Sequence, residues 1–361
     1  MTAHGRGHDG ERPRVLLLSM YPLDRGLWGA TTRITQLRDA LGRRVSLDVV
    51  AGTRLRRAVA MARYLASGRL RGLAGIYIEN ATTLPGPADL LFLALARRRG
   101  IRVLTYVRDA QQLFPEYFAA TTLKRRASRA LFLPATRALM RVSTHVAFPS
   151  RGLAAAVLGD DRRAERALLL PPGARLTTAP PVDPAARALL FVGGLRYDAH
   201  GGPILMQAME QARATDAALE LICVSRRGEE PPGHLPEWVR LVRAQGREID
   251  ELLPSVLATI TPRRKTPYND LAVPIKVMEY LGYGRPLIVT DTIETAAIVR
   301  GARCGLVVPD TAAGLADGII TMAHAPAERV TRWGEAARAA AIANSWDSRA
   351  SRVLELLGIP A

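Results

Sequence analysis

The chain has 361 residues, 48% of them hydrophobic and 5% aromatic, with a net charge of +17. That length accommodates two domains, each with its own core. The most apolar run, residues 90–96, is far below the ~20 residues of a membrane-spanning helix, so no span is expected. Cys223 and Cys304 stand in no metal or redox spacing. With no signal peptide in view, they point to a reducing cytoplasm.

The charge is unevenly placed. Residues 1–180 hold 30 Lys/Arg against 12 Asp/Glu, or +18, while residues 181–361 hold 20 against 21, or −1. A basic half suggests a polyanionic surface or ligand as partner.

Along the first half, residues 14–19 read as a buried strand. Residues 31–41 read as an amphipathic helix with Ile34, Leu37 and Leu41 on one face. Strands are expected over 45–50, 76–79, 101–106 and 145–148, and helices over 88–98 and 123–142. This alternation predicts a parallel sheet covered on both faces. Asp160-Asp161 reads as a turn, and His145 as a structural residue opening a strand. The proline-rich stretch 171–187 is expected to be an interdomain linker.

The second half restarts the pattern. Strands are expected at 188–192, 219–223, 239–242, 258–260 and 305–308, with helices at 204–212, 248–257 and 295–300 and a helical tail from 311. The expected organisation is a disordered tail 1–12, an N-terminal Rossmann-like domain 13–170, the linker 171–187, a C-terminal Rossmann-like domain 188–342 and a final helix 343–361 packing back on the first domain.

The segment 274–291 carries the most chemistry. Pro274 suits the first turn of a helix, and Ile275, Val277, Met278 and Leu281 form its apolar face. Gly282, Gly284 and Pro286 stop the helix before the strand 287–290. Glu279 and Lys276 therefore lie where a helix meets a parallel strand, the place where open α/β sheets bind ligands. Three other places invite an anion. Gly29-Ala30 opens the first helix. Gly193 and Gly194 follow the first strand of the second half, with Arg196 and His200 beyond them, and a guanidinium binds phosphate bidentately. The run Arg263-Arg264-Lys265 adds further positive charge. Arg108 and Asp109 follow the strand 101–106, either as crevice residues or as a surface ion pair. No metal spacing, P-loop or Gly-x-Ser-x-Gly is present.

The run Pro274-x-Lys-x-x-Glu-Tyr-x-x-x-Gly-x-Pro286 resembles the donor site of the group 1 (family 4) retaining glycosyltransferases of GT-B fold. The resemblance implies an α/β fold of two Rossmann-like parallel-sheet domains facing a central cleft. It also implies a nucleotide-sugar as substrate, no cofactor and no metal. Glu279 would hold the donor ribose. Lys276, Pro274, Gly193, Gly194, His200, Arg263 and Lys265 would line the donor site, with Arg196 near the diphosphate. Asp109 would orient or deprotonate the acceptor hydroxyl. Gly29, Ala30 and Arg108 would form the acceptor and diphosphate loop. The chain departs from the family pattern, with Gly194 where an arginine is usual, His200 where a lysine is usual, and Leu271 where a first glutamate is usual.

The implied activity is transfer of a sugar to a glycan, lipid-linked or small-molecule acceptor, in the cytoplasm or on the inner face of the membrane. The basic amphipathic stretches 54–65 and 124–133 suggest an anionic membrane surface as partner; nucleic acid is not expected. The alternatives are a non-catalytic homologue binding a nucleotide, glycan or nucleic acid, and a sugar-nucleotide epimerase.

Overall fold

The structure, a computed structural model, describes residues 12–23, 29–80, 83–230 and 233–360. The expected tail 1–12 lies outside the described residues except for Arg12. The chain divides into two compact units. One holds residues up to Leu113, Phe118–Ala147 and Ala350 onward; the other holds Phe114–Tyr117 and Phe148–Arg349.

In the first unit, β1 (Arg14–Ser19), α1 (Gly29–Gly42), β2 (Ser46–Ala51), α2 (Arg54–Ala66), β3 (Leu73–Asn80), α3 (Pro87–Arg98), β4 (Arg102–Val107), α4 (Leu123–Arg141) and β5 (His145–Phe148) alternate as the sequence predicts. β1 pairs in parallel with both β2 and β3, and β3 with β4. Val15 to Leu18 are fully buried, as a central strand covered on two faces requires. Within this unit the sheet order is β2-β1-β3-β4-β5, and β6, in the second unit, is Leu168–Leu169. The chain therefore winds left after β1 and right from β3 onward. The β1/β3 boundary is the topological switch point, where the loops on either side diverge and leave a crevice.

The second unit begins with α5 (Arg151–Leu158) and α6 (Asp161–Glu165). Asp160 is not merely part of a turn: it caps α6, its carboxylate accepting the Arg162 and Arg163 amides at 2.9 and 3.4 Å. Then come β7 (Ala188–Val192), α7 (Gly202–Thr215), β8 (Glu220–Val224), β9 (Val239–Val242), β10 (Val256–Thr261), α8 (Pro267–Leu271), α9 (Ile275–Gly282), β11 (Leu287–Thr290), α10 (Ile293–Ala302), β12 (Gly305–Val308), α11 (Ala312–Ala323), α12 (Ala327–Ala343) and α13 (Trp346–Leu356). The sheet order β12-β11-β10-β7-β8-β9 puts the switch point between β7 and β10. Both sheets are parallel and layered with helices, the architecture of a GT-B fold.

Four expectations are corrected. The helix expected over 248–257 is a 3-10 helix over Gly246–Ser255, and its last two expected residues belong instead to β10, which starts at Val256. Pro274 is the N-cap of α9 rather than part of its first turn, and its carbonyl accepts the Val277 amide at 3.1 Å. The border between compact units falls at Ala147/Phe148, not at 170, since α5 packs within the second unit. There the Ser150 hydroxyl donates to the Leu271 carbonyl at 2.6 Å and the Gly152 amide donates to Glu294 at 3.0 Å. The stretch 171–187 is irregular, but it is strapped to the second unit instead of hanging between units. Arg175 forks onto Asp250 at 2.8 and 2.6 Å, and a Cβ on Gly173 would sit 2.5 Å from the Trp346 ring. Arg285, buried and without an ion pair among the described residues, donates to the carbonyls of Pro180 and Leu253.

At the far end, the residues after Ala350 pack in the first unit, where the Leu357 side chain fills the space left by Gly75. Cys223 and Cys304 are free and buried, and burial pushes both thiols up to about 12. Among the described residues no helix is long and apolar enough to cross a membrane.

Candidate functional site

In the second unit the switch point gathers side chains that are far apart in sequence. β7 ends at Val192 and turns through Gly193, whose φ of +152° and close neighbours leave room only for glycine. A Cβ there would meet the Phe191 ring at 3.1 Å and Lys276 Nζ at 3.3 Å. Lys276, in the first turn of α9, donates to the Val192 carbonyl at 3.1 Å, with its ammonium 4.9 Å from the centre of the Phe191 ring. One turn on, the Tyr280 hydroxyl accepts the Val192 amide at 2.8 Å. α9 is thus pinned by two side chains to the carboxyl end of β7.

Arg263 follows β10 and completes the crevice. Its guanidinium donates to Asn269, which is itself buried and donates to the Arg264 carbonyl at 2.6 Å, while its Nε is buried without a partner. Burial first, then the charge of Arg263, lower the Lys276 ammonium to about 7. Neither cation is ion-paired with an acid among the described residues. His200 lies in the same field. Burial first, then Lys276 and Arg263, lower its imidazole to about 4, so it is neutral at neutral pH. His200 therefore does not replace the charge of the lysine usual at its position.

Glu279, on the same helix, is half-buried, and its carboxylate accepts no hydrogen bond from any described residue. Burial raises its carboxyl to about 7, against the opposing pull of Arg175 and Lys276. A carboxylate held this way is short of donors, and a ligand hydroxyl would supply them.

The structure separates the remaining donor-side candidates. Lys265 is exposed and committed: its ammonium pairs with Asp291 at 3.1 Å and its amide donates to Asp310 at 2.7 Å. Arg196 is exposed, its amide donating to the Glu229 carbonyl at 3.2 Å, and its guanidinium has no ion pair among the described residues. Gly194 is enclosed, since a Cβ there would approach the Tyr197 ring at 2.8 Å and the Glu229 Cβ at 2.9 Å. The turn thus has no space for the arginine usual at that position.

The first unit holds a second constellation at its own switch point. Glu79, near the carboxyl end of β3, is fully buried. It accepts from the Tyr21 hydroxyl at 2.8 Å, from the Tyr77 hydroxyl at 3.1 Å and from the guanidinium of Arg33 on α1. Arg33 stacks on the Tyr106 ring at 3.6 Å. Arg108, just past β4, lies 5.4 Å from the centre of the Tyr21 ring. Asp109 is buried and accepts the Gln111 amide at 3.1 Å. Gly29 and Ala30 open α1.

Glu79, Arg33, Tyr21, Tyr77 and Tyr106 were not singled out from the sequence. The signal was present: Glu79 is an acid closing an apolar strand, the same position that drew attention to Arg108 and Asp109.

Residues 186–325, lying in the second unit, match the family described as "Glycosyl transferases group 1". No curated protein matches the chain in sequence. Solved structures of similar fold include a sucrose-phosphate synthase from Thermosynechococcus elongatus (16% identity, TM-score 0.65, 96% of this chain and 98% of that one). Anabaena HepE in complex with UDP and glucose is also similar (15% identity, TM-score 0.63, 96% and 100%). So is a glycosyltransferase from Rickettsia africae (12% identity, TM-score 0.62, 96% and 98%). These likenesses show the GT-B fold, and residues 186–325 are similar in sequence to the group 1 glycosyltransferases.

Proposed function

We propose that this chain, with its group 1 glycosyltransferase segment at residues 186–325, moves a sugar from a nucleotide-sugar to an acceptor hydroxyl with retention at the anomeric carbon. The observation that carries the reading is the β7/β10 crevice, where two cations without acid partners, Lys276 and Arg263, lie near a carboxylate without a donor, Glu279. The diphosphate of the donor supplies the missing negative charge, with the amino end of α9 beside it. The ribose hydroxyls supply the missing donors to Glu279. UDP and UDP-glucose are bound by the similar HepE structures, and a uridine nucleotide is the first donor to test. Stabilising charge on the departing diphosphate is the main catalytic contribution asked of the second unit. No base, proton relay or hydrolytic constellation suited to an epimerase is needed for this chemistry.

The first unit takes the acceptor. Asp109 is its candidate for orienting or deprotonating the hydroxyl. Docking to an anionic membrane on the inner face is favoured by α4. Leu123 is 82% exposed and Leu131 54% exposed on its first turns, among Lys124, Arg125, Arg126 and Arg129 and with no acid between them.

The test is a thermal-shift and hydrolysis screen against nucleoside diphosphates and their sugars. A shift with at least one nucleotide, lost in Glu279→Ala, is expected. A folded protein that responds to none of them is a non-catalytic binding homologue instead.

A further inference from the structure

Arg108 stands apart from every other buried cation of the first unit. Arg33 is bonded to Glu79 and Tyr77, and Arg57 forks onto Asp89 at 2.9 and 2.7 Å while donating to two carbonyls. Arg108 is half-buried; its guanidinium has no hydrogen bond or ion pair with any described residue, and its Nε is wholly buried without a partner. The neighbouring acids are already engaged. Glu79 accepts from Arg33, Tyr21 and Tyr77, and Asp109 accepts from the Gln111 amide.

Burial opposes the charge on this guanidinium, yet the nearby Tyr21, Glu79 and Asp109 hold it above its ordinary pKa, so it stays charged. A guanidinium removed from water without a partner is costly, and such a group is retained where a ligand completes it. The location agrees. The Arg108 amide donates to the Asn80 carbonyl at 3.1 Å, at the carboxyl end of β3, and its ring neighbour Tyr21 follows β1. β1 and β3 flank the switch point of this sheet, where open α/β sheets bind ligands.

We propose that the acceptor carries an anionic group, a phosphate or a carboxylate, and that Arg108 grips it with its guanidinium fork, Tyr21 flanking it. This rests on the reading of the first unit as the acceptor side. It narrows the acceptor class from any hydroxyl compound to an anionic sugar or the phosphate headgroup of a lipid. Arg33 has a different part: it neutralises Glu79, so that the crevice does not repel an anion.

The test uses the full chain saturated with UDP, so that the β7/β10 crevice is filled before the anion is added. Binding of glucose 6-phosphate, glucuronate and glycerol 3-phosphate is compared with that of glucose and glycerol by calorimetry or ligand-observed NMR. The wild type is expected to bind at least one anionic probe tenfold or more tightly than its neutral counterpart. Arg108→Gln is expected to erase that preference, Arg108→Lys to keep part of it, and the exposed control Arg98→Gln to keep all of it. Preference for a sugar anion indicates a soluble acceptor, and preference for glycerol 3-phosphate a lipid headgroup. No preference in the wild type, or an undiminished preference in a folded Arg108→Gln, overturns the proposal. Circular dichroism and an unchanged UDP affinity establish that Arg108→Gln is folded. A wild type that does not bind UDP at all counts against the proposed donor site, and the same anion comparison without UDP then still decides the role of Arg108.

Discussion

Glu279→Gln is expected to make the free protein more stable while it weakens the donor site. The carboxyl of Glu279 is raised from 4.5 to about 7 by burial. Because its folded pKa lies above its unfolded one, its favourable contribution is fully present below 4.5 and is lost as pH rises through about 7. Above that, the folded protein carries a half-buried, unbonded carboxylate that the unfolded chain holds in water. At 1.36 kcal/mol per pH unit, the penalty at pH 8 has a ceiling of about 3 kcal/mol. Water reaching the half-buried group discounts that to about 1–2 kcal/mol.

Glutamine keeps the shape and removes the charge. The variant should therefore melt about 2–8 °C higher at pH 8, at the 2–4 °C per kcal/mol typical of a unit this size, and no higher near pH 4.5. Nucleotide affinity should fall tenfold or more, since a charged hydrogen bond is worth about 1.5–3 kcal/mol. Asp250→Asn is the contrasting case: that carboxylate is bonded twice to Arg175, and its loss should lower the melting temperature. Scanning calorimetry at the two pH values and a UDP titration suffice. A Glu279→Gln protein that is no more stable at pH 8, or that binds every nucleotide as tightly as the wild type, refutes the reasoning.

Nucleotide affinity should peak near pH 7. Below it Glu279 takes up a proton; above it the free Lys276, lowered to about 7, is neutral and must regain its proton on binding a diphosphate. The loss on the alkaline side approaches tenfold per pH unit, and Lys276→Gln should bind weakly with that limb flattened; a titration series in pH checks both. Arg263→Gln should lower transfer more than Arg196→Ala, since Arg196 is exposed and Arg263 lines the crevice; equal rates in a transfer assay would return the role to Arg196. Gly194→Arg combined with His200→Lys should reduce stability and activity rather than restore the family pattern, because a Cβ at 194 meets the Glu229 Cβ at 2.9 Å; thermal melts and the same transfer assay read this. The full chain should pellet with anionic and not with zwitterionic vesicles at low salt, and Leu123→Ser with Lys124→Glu should weaken pelleting. Equal pelleting with both vesicle types would remove the membrane docking.

The local pattern of the chain determined most of its elements. Runs such as residues 14–19 and 287–290 are too apolar and too short for anything but buried parallel strands, and Gly284 and Pro286 close the helix that Gly282 ends. The helix and strand of the segment 274–291 were legible for the same reason: Lys276 and Glu279 lie three residues apart on one helix, and that spacing alone sets them near each other. Strand order decided the rest. Lys276 reaches the Val192 carbonyl across 84 residues, and it lies in the field of Arg263 because β7 and β10 are neighbours in the sheet. Glu79 meets Arg33 across 46 residues because β3 runs beside β1. Burial and charge pairing are properties of such neighbours. Sequence spacing therefore identified the candidate cations, but only the folded sheets determined that Lys265 is paired, that His200 is neutral, and that Arg108 is left without a partner.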